Sequence, residues 1–228
     1  MISKIVRKLE PVTLVGGADV SKSAFERAIV HAPTILAADG GAVHALNLGA
    51  IPEAVIGDMD SLDRELKGQL PAASLHFIEE QDSTDFEKCL LRIEAPLIMG
   101  VGFLGGRLDH QLAAFHALVR FAHQRCILVN DDELVFLCPP QFSMPLAAGT
   151  PVSLFPMGAS TGRGEGLKWS FPSLDFEPGL RIGTSNEAIG AVTLEMSAPN
   201  MLCILPSDCF ELVLKALMAQ AGSWPARA

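Results

Sequence analysis

No stretch of this 228-residue chain approaches the roughly 20 consecutive apolar residues needed to cross a bilayer. The opening, MISKIVRKLEP, also lacks the long apolar run that follows the basic end of a secretory signal. The expectation is a soluble cytoplasmic protein with no membrane partner. Paired cysteines are missing too. The five present, Cys89, Cys126, Cys138, Cys203 and Cys209, are scattered singly among apolar neighbours, a spacing that argues against a disulfide framework and a zinc site. They read as buried thiols of a reducing compartment. There is no basic excess: the formal net charge is −9, so a non-specific hold on nucleic acid, which needs Lys and Arg against phosphates, is not expected. Neither G-x-x-x-x-G-K-S/T nor G-x-G-x-x-G follows the first strand, which disfavours a P-loop or a standard dinucleotide site. The six histidines form no ligand spacing, and no Ser/His/Asp or Cys/His nucleophile arrangement stands out.

Apolar content is plentiful: 49% of residues are hydrophobic and 19% charged, enough for a core in one large domain or two small ones. Through the first 130 residues, short β-rich runs (12–15, 34–38, 54–56, 97–101 and 126–129) alternate with stretches of helical spacing such as Leu112, Phe115, Leu118 and Val119. That is the pattern of a parallel sheet with helices on both faces. After Asp131-Asp132 the texture changes to short strand candidates (134–137, 150–155, 180–182, 191–196 and 202–205) separated by Pro, Gly and Ser turns. The expected fold class is α/β, with a doubly wound, mostly parallel Rossmann-like sheet over residues 1–132 and an all-β domain over residues 133–228. A short terminal helix from Asp208 to Ala219 completes the chain.

The charges collect in particular loops. Strands of the first domain run into Gly16-Gly17-Ala18-Asp19, Asp39-Gly40-Gly41, Gly57-Asp58-Met59-Asp60-Ser61 and the segment from Gly102 to His110. In an open parallel sheet such loops gather at the carboxyl ends of the strands, where ligands bind. Asp58 and Asp60 are two apart in a segment read as extended, so both carboxylates can face one side, and Asp82 and Asp85 flank the start of another helix. Carboxylates in that number repel unless a cation joins them, and hard oxygen ligands suggest Mg²⁺ at Asp58, Asp60 and Asp85. The competing reading is capping: Asp60 or Ser61 for a helix starting at Leu62, and a Thr84/Glu87 capping box that leaves Asp85 merely favourable to the helix dipole. Gly40-Gly41 and Gly105-Gly106 each stand before a helix, where free N–H groups attract phosphate, and Arg107 adds a forked cation; an ordinary tight turn explains such pairs as well.

In the second half, Trp169, one of two tryptophans, follows Gly166-Leu167-Lys168, and Ser185-Asn186 lies in a polar cluster. An exposed indole stacks on flat or cationic rings and Ser/Asn side chains read their edges, whereas a core Trp and a plain turn are the ordinary alternative.

These segments together resemble the thiamine pyrophosphokinase family from about residue 12 to residue 206. The resemblance rests on Ala38-Asp39-Gly40-Gly41, Ile56 to Ser61, Gln81 to Leu90, Gly105 to His110, Gly166 to Trp169 and Thr184-Ser185-Asn186, in that order. It implies an α/β domain followed by a β-sandwich, in a homodimer with the active site at the subunit interface and with thiamine and ATP as substrates. It also implies metal ligation by Asp58, Asp60 and Asp85, an acidic crevice shaped by Asp39, and Gln81 near the reacting groups. Gly40, Gly41, Gly105, Gly106, Arg107 and His110 would lie against ATP, with Arg107 and Asp109 positioning its phosphates. Trp169, Ser185 and Asn186 would face thiamine. Two positions depart from the pattern: Met59 where an aromatic is common, and Ser83 where Lys or His is common. A metal-dependent phosphohydrolase and a non-catalytic nucleotide or thiamine sensor remain the rival readings.

Overall fold

The computed structural model describes residues 3–220 and 222–226. Contacts divide the chain into two units: the chain up to Ala117 with Leu128–Asp131, and Leu118–Ile127 with the chain from Asp132 onward. In chain order the first half contains β1 (Val6–Arg7), β2 (Val12–Val15), α1 (Lys22–His31), β3 (Thr34–Ala38), α2 (Gly41–Asn47), β4 (Ala54–Gly57) and α3 (Arg64–Gln69). There follow β5 (Leu75–Phe77), α4 (Asp85–Arg92), β6 (Ile93–Glu94), β7 (Ile98–Val101), α5 (Leu108–Arg120) and β8 (Cys126–Val129). Pairing within the first unit is parallel: β2 with β7, β3 with β4, β4 with β5, and β1 with β6. Every residue of β2, β4 and β7 is buried, as expected of parallel strands covered on both faces. The strands expected at 12–15, 34–38, 54–56, 97–101 and 126–129 are present within a residue; β1, β5 and β6 have only two or three residues, too short to show a period.

The helices of this unit start where side chains satisfy free N–H groups. Ser21 caps α1 by accepting from the Ala24 N–H at 3.0 Å, and Asp63 caps α3 by accepting from the Leu66 N–H at 2.8 Å. The helix expected from Leu62 with Asp60 or Ser61 as its cap therefore begins two residues later. Leu62 turns into the core beside Met59, Val55 and Leu70 instead. The Thr84/Glu87 capping box on α4 is present with both of its bonds, Thr84 N–H to Glu87 Oε2 at 3.0 Å and Glu87 N–H to Thr84 Oγ1 at 3.3 Å. Thr84→Ala is expected to cost about 1 kcal/mol, measured as a lower chemical-denaturation midpoint at unchanged slope.

The second unit is antiparallel. Its strands are β9 (Glu133–Leu137), β10 (Gln141–Met144), β11 (Pro151–Pro156), β12 (Ser160–Leu167), β13 (Phe171–Phe176), β14 (Gly183–Met196) and β15 (Met201–Pro206). β14 is the hub, pairing with β10, β11 and β12, while β15 joins β11 to β9. The strand expected at 180–182 is not one. Leu180 lies in a turn and is 82% exposed, and the chain enters β14 only at Gly183. The terminal helix forms as α6 (Phe210–Ala219) after a 3-10 turn at Ser207–Cys209, and it buries Phe210, Val213, Leu214 and Leu217. All five cysteines are free and buried. Among the described residues no helix is long and apolar enough to cross a membrane.

Candidate active site

Within the first unit, the loops after β2, β3, β4 and β7 and the segment leading into α4 line one cavity of about 740 Å³. Asp39, Gly40, Asp58, Gln81, Asp85, Gly105, Gly106, Arg107 and His110 all stand on its wall. Gly41, Asp60 and Asp109 are not among its lining residues. Phe86 and Phe103, with ring centroids 4.4 Å apart, supply an apolar wall that the loop reading did not assign.

The charged heart of the cavity is a lysine between carboxylates. Lys88, on α4, is 2% exposed, and its Nζ lies 3.1 Å from Asp85 Oδ1 and 3.5 Å from Asp58 Oδ2. Gln81 Nε2 also donates to Asp58 Oδ2 at 3.2 Å, and the Asp60 N–H donates to Asp58 Oδ1 at 3.2 Å. The Gln81 bond, followed by the Asp60 bond and the Lys88 charge, holds the Asp58 carboxyl below the usual carboxylate range. Burial, reinforced by the Asp39 and Asp58 charges, pushes the Asp85 carboxyl above that range although Lys88 pulls it down. Burial alone would lower the Lys88 ammonium, but the hydrogen bond and charge of Asp85, with those of Asp58, raise it. Lys88 escaped the sequence reading because a lysine three residues after an aspartate on a helix reads as a surface ion pair. No helical period marked it either: the five consecutive residues from Phe86 to Leu90 are all buried, so burial runs round this part of α4 rather than along one face.

Asp39 completes the group. It is 4% exposed, its backbone sits at φ 40, and its Oδ1 is buried with no hydrogen-bond partner. An orphaned buried carboxylate oxygen is costly unless a cation or donor completes it. Asp58 and Asp85 meet the Lys88 ammonium and Asp39 stands on the same cavity wall, and these hard oxygen donors fit a divalent cation such as Mg²⁺. Among the described residues no three His, Cys, Asp or Glu side chains are grouped as a ready-made metal cage. Mg²⁺ does not require one, since it commonly takes one or two carboxylates and fills its other positions with water and phosphate oxygens.

The turn after β4 is not extended. Met59 adopts φ 60 and points into the core with Val55, Leu62 and Leu70, which turns Asp58 toward Lys88 and leaves Asp60 exposed in the turn. Among the described residues only Asp39, Met59 and Ser185 are non-glycines at positive φ, and each lies in a segment singled out as functional, where such strain tends to collect. Gly105 and Gly106 sit at φ 81 and 65, a conformation that other residues adopt with strain. Arg107 is exposed and paired in a fork with Asp109, Nε to Oδ1 at 3.1 Å and Nη2 to Oδ2 at 2.5 Å, so Asp109 now occupies the guanidinium face expected against phosphate.

In the second unit, Trp169 is not a core residue: it is 58% exposed, with Lys168 Nζ 5.1 Å from the ring centroid. Asn186 holds the Trp169 backbone from both sides, accepting from its N–H at 3.2 Å and donating to its carbonyl at 3.0 Å. Ser185 is part of β14 rather than a plain turn, at φ 62, with its N–H on Ser153 Oγ at 3.0 Å. Gly166 sets this platform, because a Cβ there would lie 1.9 Å from the Ala191 carbonyl oxygen.

Solved structures share this α/β fold. A thiamin pyrophosphokinase from Geobacillus thermodenitrificans aligns with a TM-score of 0.71 at 23% identity over 86% of this chain and 97% of its own. One from Candida albicans aligns with a TM-score of 0.75 at 14% identity over 89% and 92%. In sequence, the chain is 32% identical over 154 residues to Thiamine pyrophosphokinase 1 of Oryza sativa subsp. japonica and 30% identical to Thiamine pyrophosphokinase 1 of Arabidopsis thaliana. It spans 58% of the length of each of these curated relatives. Residues 25–129, which carry the cavity's loops after β3, β4 and β7 and the segment leading into α4, match the model of the thiamin pyrophosphokinase catalytic domain.

Proposed function

We propose that the protein is a thiamine pyrophosphokinase, which moves a diphosphate from ATP to the primary hydroxyl of thiamine and releases AMP. One coincidence carries the reading: the segment similar to the catalytic domain is the one that places Asp39, Asp58, Asp85 and Arg107 around a single cavity. In this reading residues 1–132 form a Rossmann-like ATP-binding domain and residues 133–228 a β-sandwich that receives thiamine. The protein works as a cytoplasmic homodimer with its active site at the subunit interface.

The reaction is an in-line displacement at the β-phosphorus, in which the protein mainly positions reactants and neutralises charge. Asp58 and Asp85, with Asp60 from the adjoining turn and Asp39 beside them, would hold Mg²⁺. When bound, the cation supplies charge neutralisation on the phosphate oxygens. Gln81 keeps the Asp58 carboxylate oriented. Arg107 exchanges Asp109 for phosphate oxygens, an exchange favoured by the exposure of both side chains. Gly40, Gly41, Gly105 and Gly106 let backbone approach the nucleotide, with His110 on the same wall. Phe86 and Phe103 close one side against water. Trp169 stacks on the thiazolium or the aminopyrimidine, flanked by Ser185 and Asn186.

The test is a chromatographic assay with ATP, Mg²⁺ and thiamine, omitting thiamine and metal in turn. Equal amounts of AMP and thiamine diphosphate, absent from both controls, are expected. Phosphate release without thiamine would identify a phosphohydrolase, and binding without product a sensor. Trp169→Ala is expected to raise the thiamine KM about tenfold with kcat little changed, because exposed stacking is worth about 1–2 kcal/mol.

A further inference from the structure

We infer that Lys88 is a positioning residue that acts as the resident counter-cation of the cleft: it holds the Asp58 and Asp85 carboxylates together and competes with a free divalent cation for them. The inference rests on the proposed function, since it concerns the same carboxylates.

Three observations carry it. Lys88 is almost wholly buried, yet its ammonium reaches both carboxylates, at 3.1 and 3.5 Å. Burying a charge costs several kcal/mol unless partners complete it, so the pair of contacts is what keeps Lys88 inside. Asp39 Oδ1 is left without a partner on the same cavity wall, so the lysine alone does not satisfy the acidic group. Besides Asp19, exposed at its edge, the cleft wall thus carries Asp39, Asp58 and Asp85 with one ammonium: enough negative charge to welcome a cation, but with Asp58 and Asp85 already engaged.

The consequence is selectivity for a cation that arrives with its nucleotide. A bare divalent ion must settle within a few ångströms of the Lys88 charge and gains only part of the carboxylate field. An ion bridged to phosphates brings its own oxygen ligands and needs fewer from the protein. Lys88 also keeps the two carboxylates convergent in the free protein, so ligand binding need not first overcome their repulsion.

The test is titration of Mn²⁺ without nucleotide, followed by electron paramagnetic resonance, on wild type, Lys88→Met and Lys88→Met/Asp58→Asn. Removal of the ammonium is expected to tighten Mn²⁺ binding about tenfold or more. The double variant, which restores the wild-type charge balance, is expected to return to wild-type affinity. Thermal melting gives a second readout: MnCl₂ is expected to raise the melting temperature of Lys88→Met more than that of wild type. Equal Mn²⁺ affinity and equal melting shifts in wild type and Lys88→Met, with Mn²⁺–ATP binding intact, would overturn the role of Lys88 alone. A double variant that binds Mn²⁺ as tightly as Lys88→Met would overturn it too. No Mn²⁺ binding by any form, with or without ATP, would overturn the metal reading of the cleft as well.

Discussion

Asp58→Asn is expected to lower the rate of AMP formation about 1,000-fold, the scale on which loss of a charge-stabilising group in a preorganised site is felt. Asp58 is the junction of the cleft: one oxygen accepts from Gln81 and meets Lys88, the other accepts from the Asp60 N–H. Asparagine has the same shape but offers no anionic oxygen to a cation, and its amide NH₂ replaces one of two accepting oxygens, so a donor faces either Lys88 and Gln81 or the Asp60 N–H. Lys88 keeps its closer contact with Asp85, so the fold survives and the melting temperature falls by only a few degrees. Rate and melting temperature measured on one preparation check both halves. A rate within a factor of ten of wild type would remove Asp58 from the reaction. Folding lowers the Asp58 pKa, so its stabilising contribution is present above the unfolded value and is lost as pH falls through the folded one. The stability difference between the two proteins should therefore shrink on strong acidification.

Gly41→Ala is expected to be the most damaging single-methyl change in the first unit. A Cβ there would lie 2.0 Å from the Val15 carbonyl oxygen and 2.6 Å from its carbon, both backbone atoms at the end of β2. No side-chain rotation relieves that overlap. Either α2 or the end of β2 must shift, at a cost of about 3 kcal/mol, which for a chain of this length lowers the melting temperature by about 6–12 °C. The shift would also displace Asp39 and Gly40, so activity should fall with stability. Gly68→Ala supplies the control. It is an exposed position in α3 with nothing within 4 Å of its added Cβ, and it should gain about 0.5–1 kcal/mol.

Much of the first unit was legible because its strands are buried on both faces and bounded by Gly and Asp. Burial of that kind writes near-continuous apolar runs such as Ala54–Gly57 and Val12–Val15, the latter broken only by Thr13, whose hydroxyl donates to the Ala32 carbonyl. The second unit was less legible for a specific reason. β12, STGRGEGL, alternates buried and exposed residues along most of its length, but several of its inward positions are Ser160, Gly162 and Gly164, which carry no hydrophobic period. They are small because Phe171, Phe176 and Met196 fill the space: a Cβ on Gly164 would lie 2.5 Å from the Phe171 ring and one on Gly162 2.9 Å from the Met196 sulfur. Leu180 and Ile182 misled in the opposite sense: they alternate with Arg181 as a strand would, but both are exposed beside the turn that the Glu177–Arg181 bridge closes.

The candidate site divides along the same line. Sequence alone determined which loops come together round the cavity, because glycines and aspartates placed after short apolar strands must gather at one edge of a parallel sheet, and chain connectivity enforces that. Tertiary structure decided which of those residues face one another. Asp58 turns to Lys88 while Asp60 stays in solvent because Met59, a single residue between them, is drawn into the core in a left-handed conformation. Lys88 becomes a buried cation because Asp58, thirty residues earlier in the chain, reaches it beside Asp85. Spacing along a chain records local geometry, whereas the charge that a buried side chain meets depends on which distant segment packs against it.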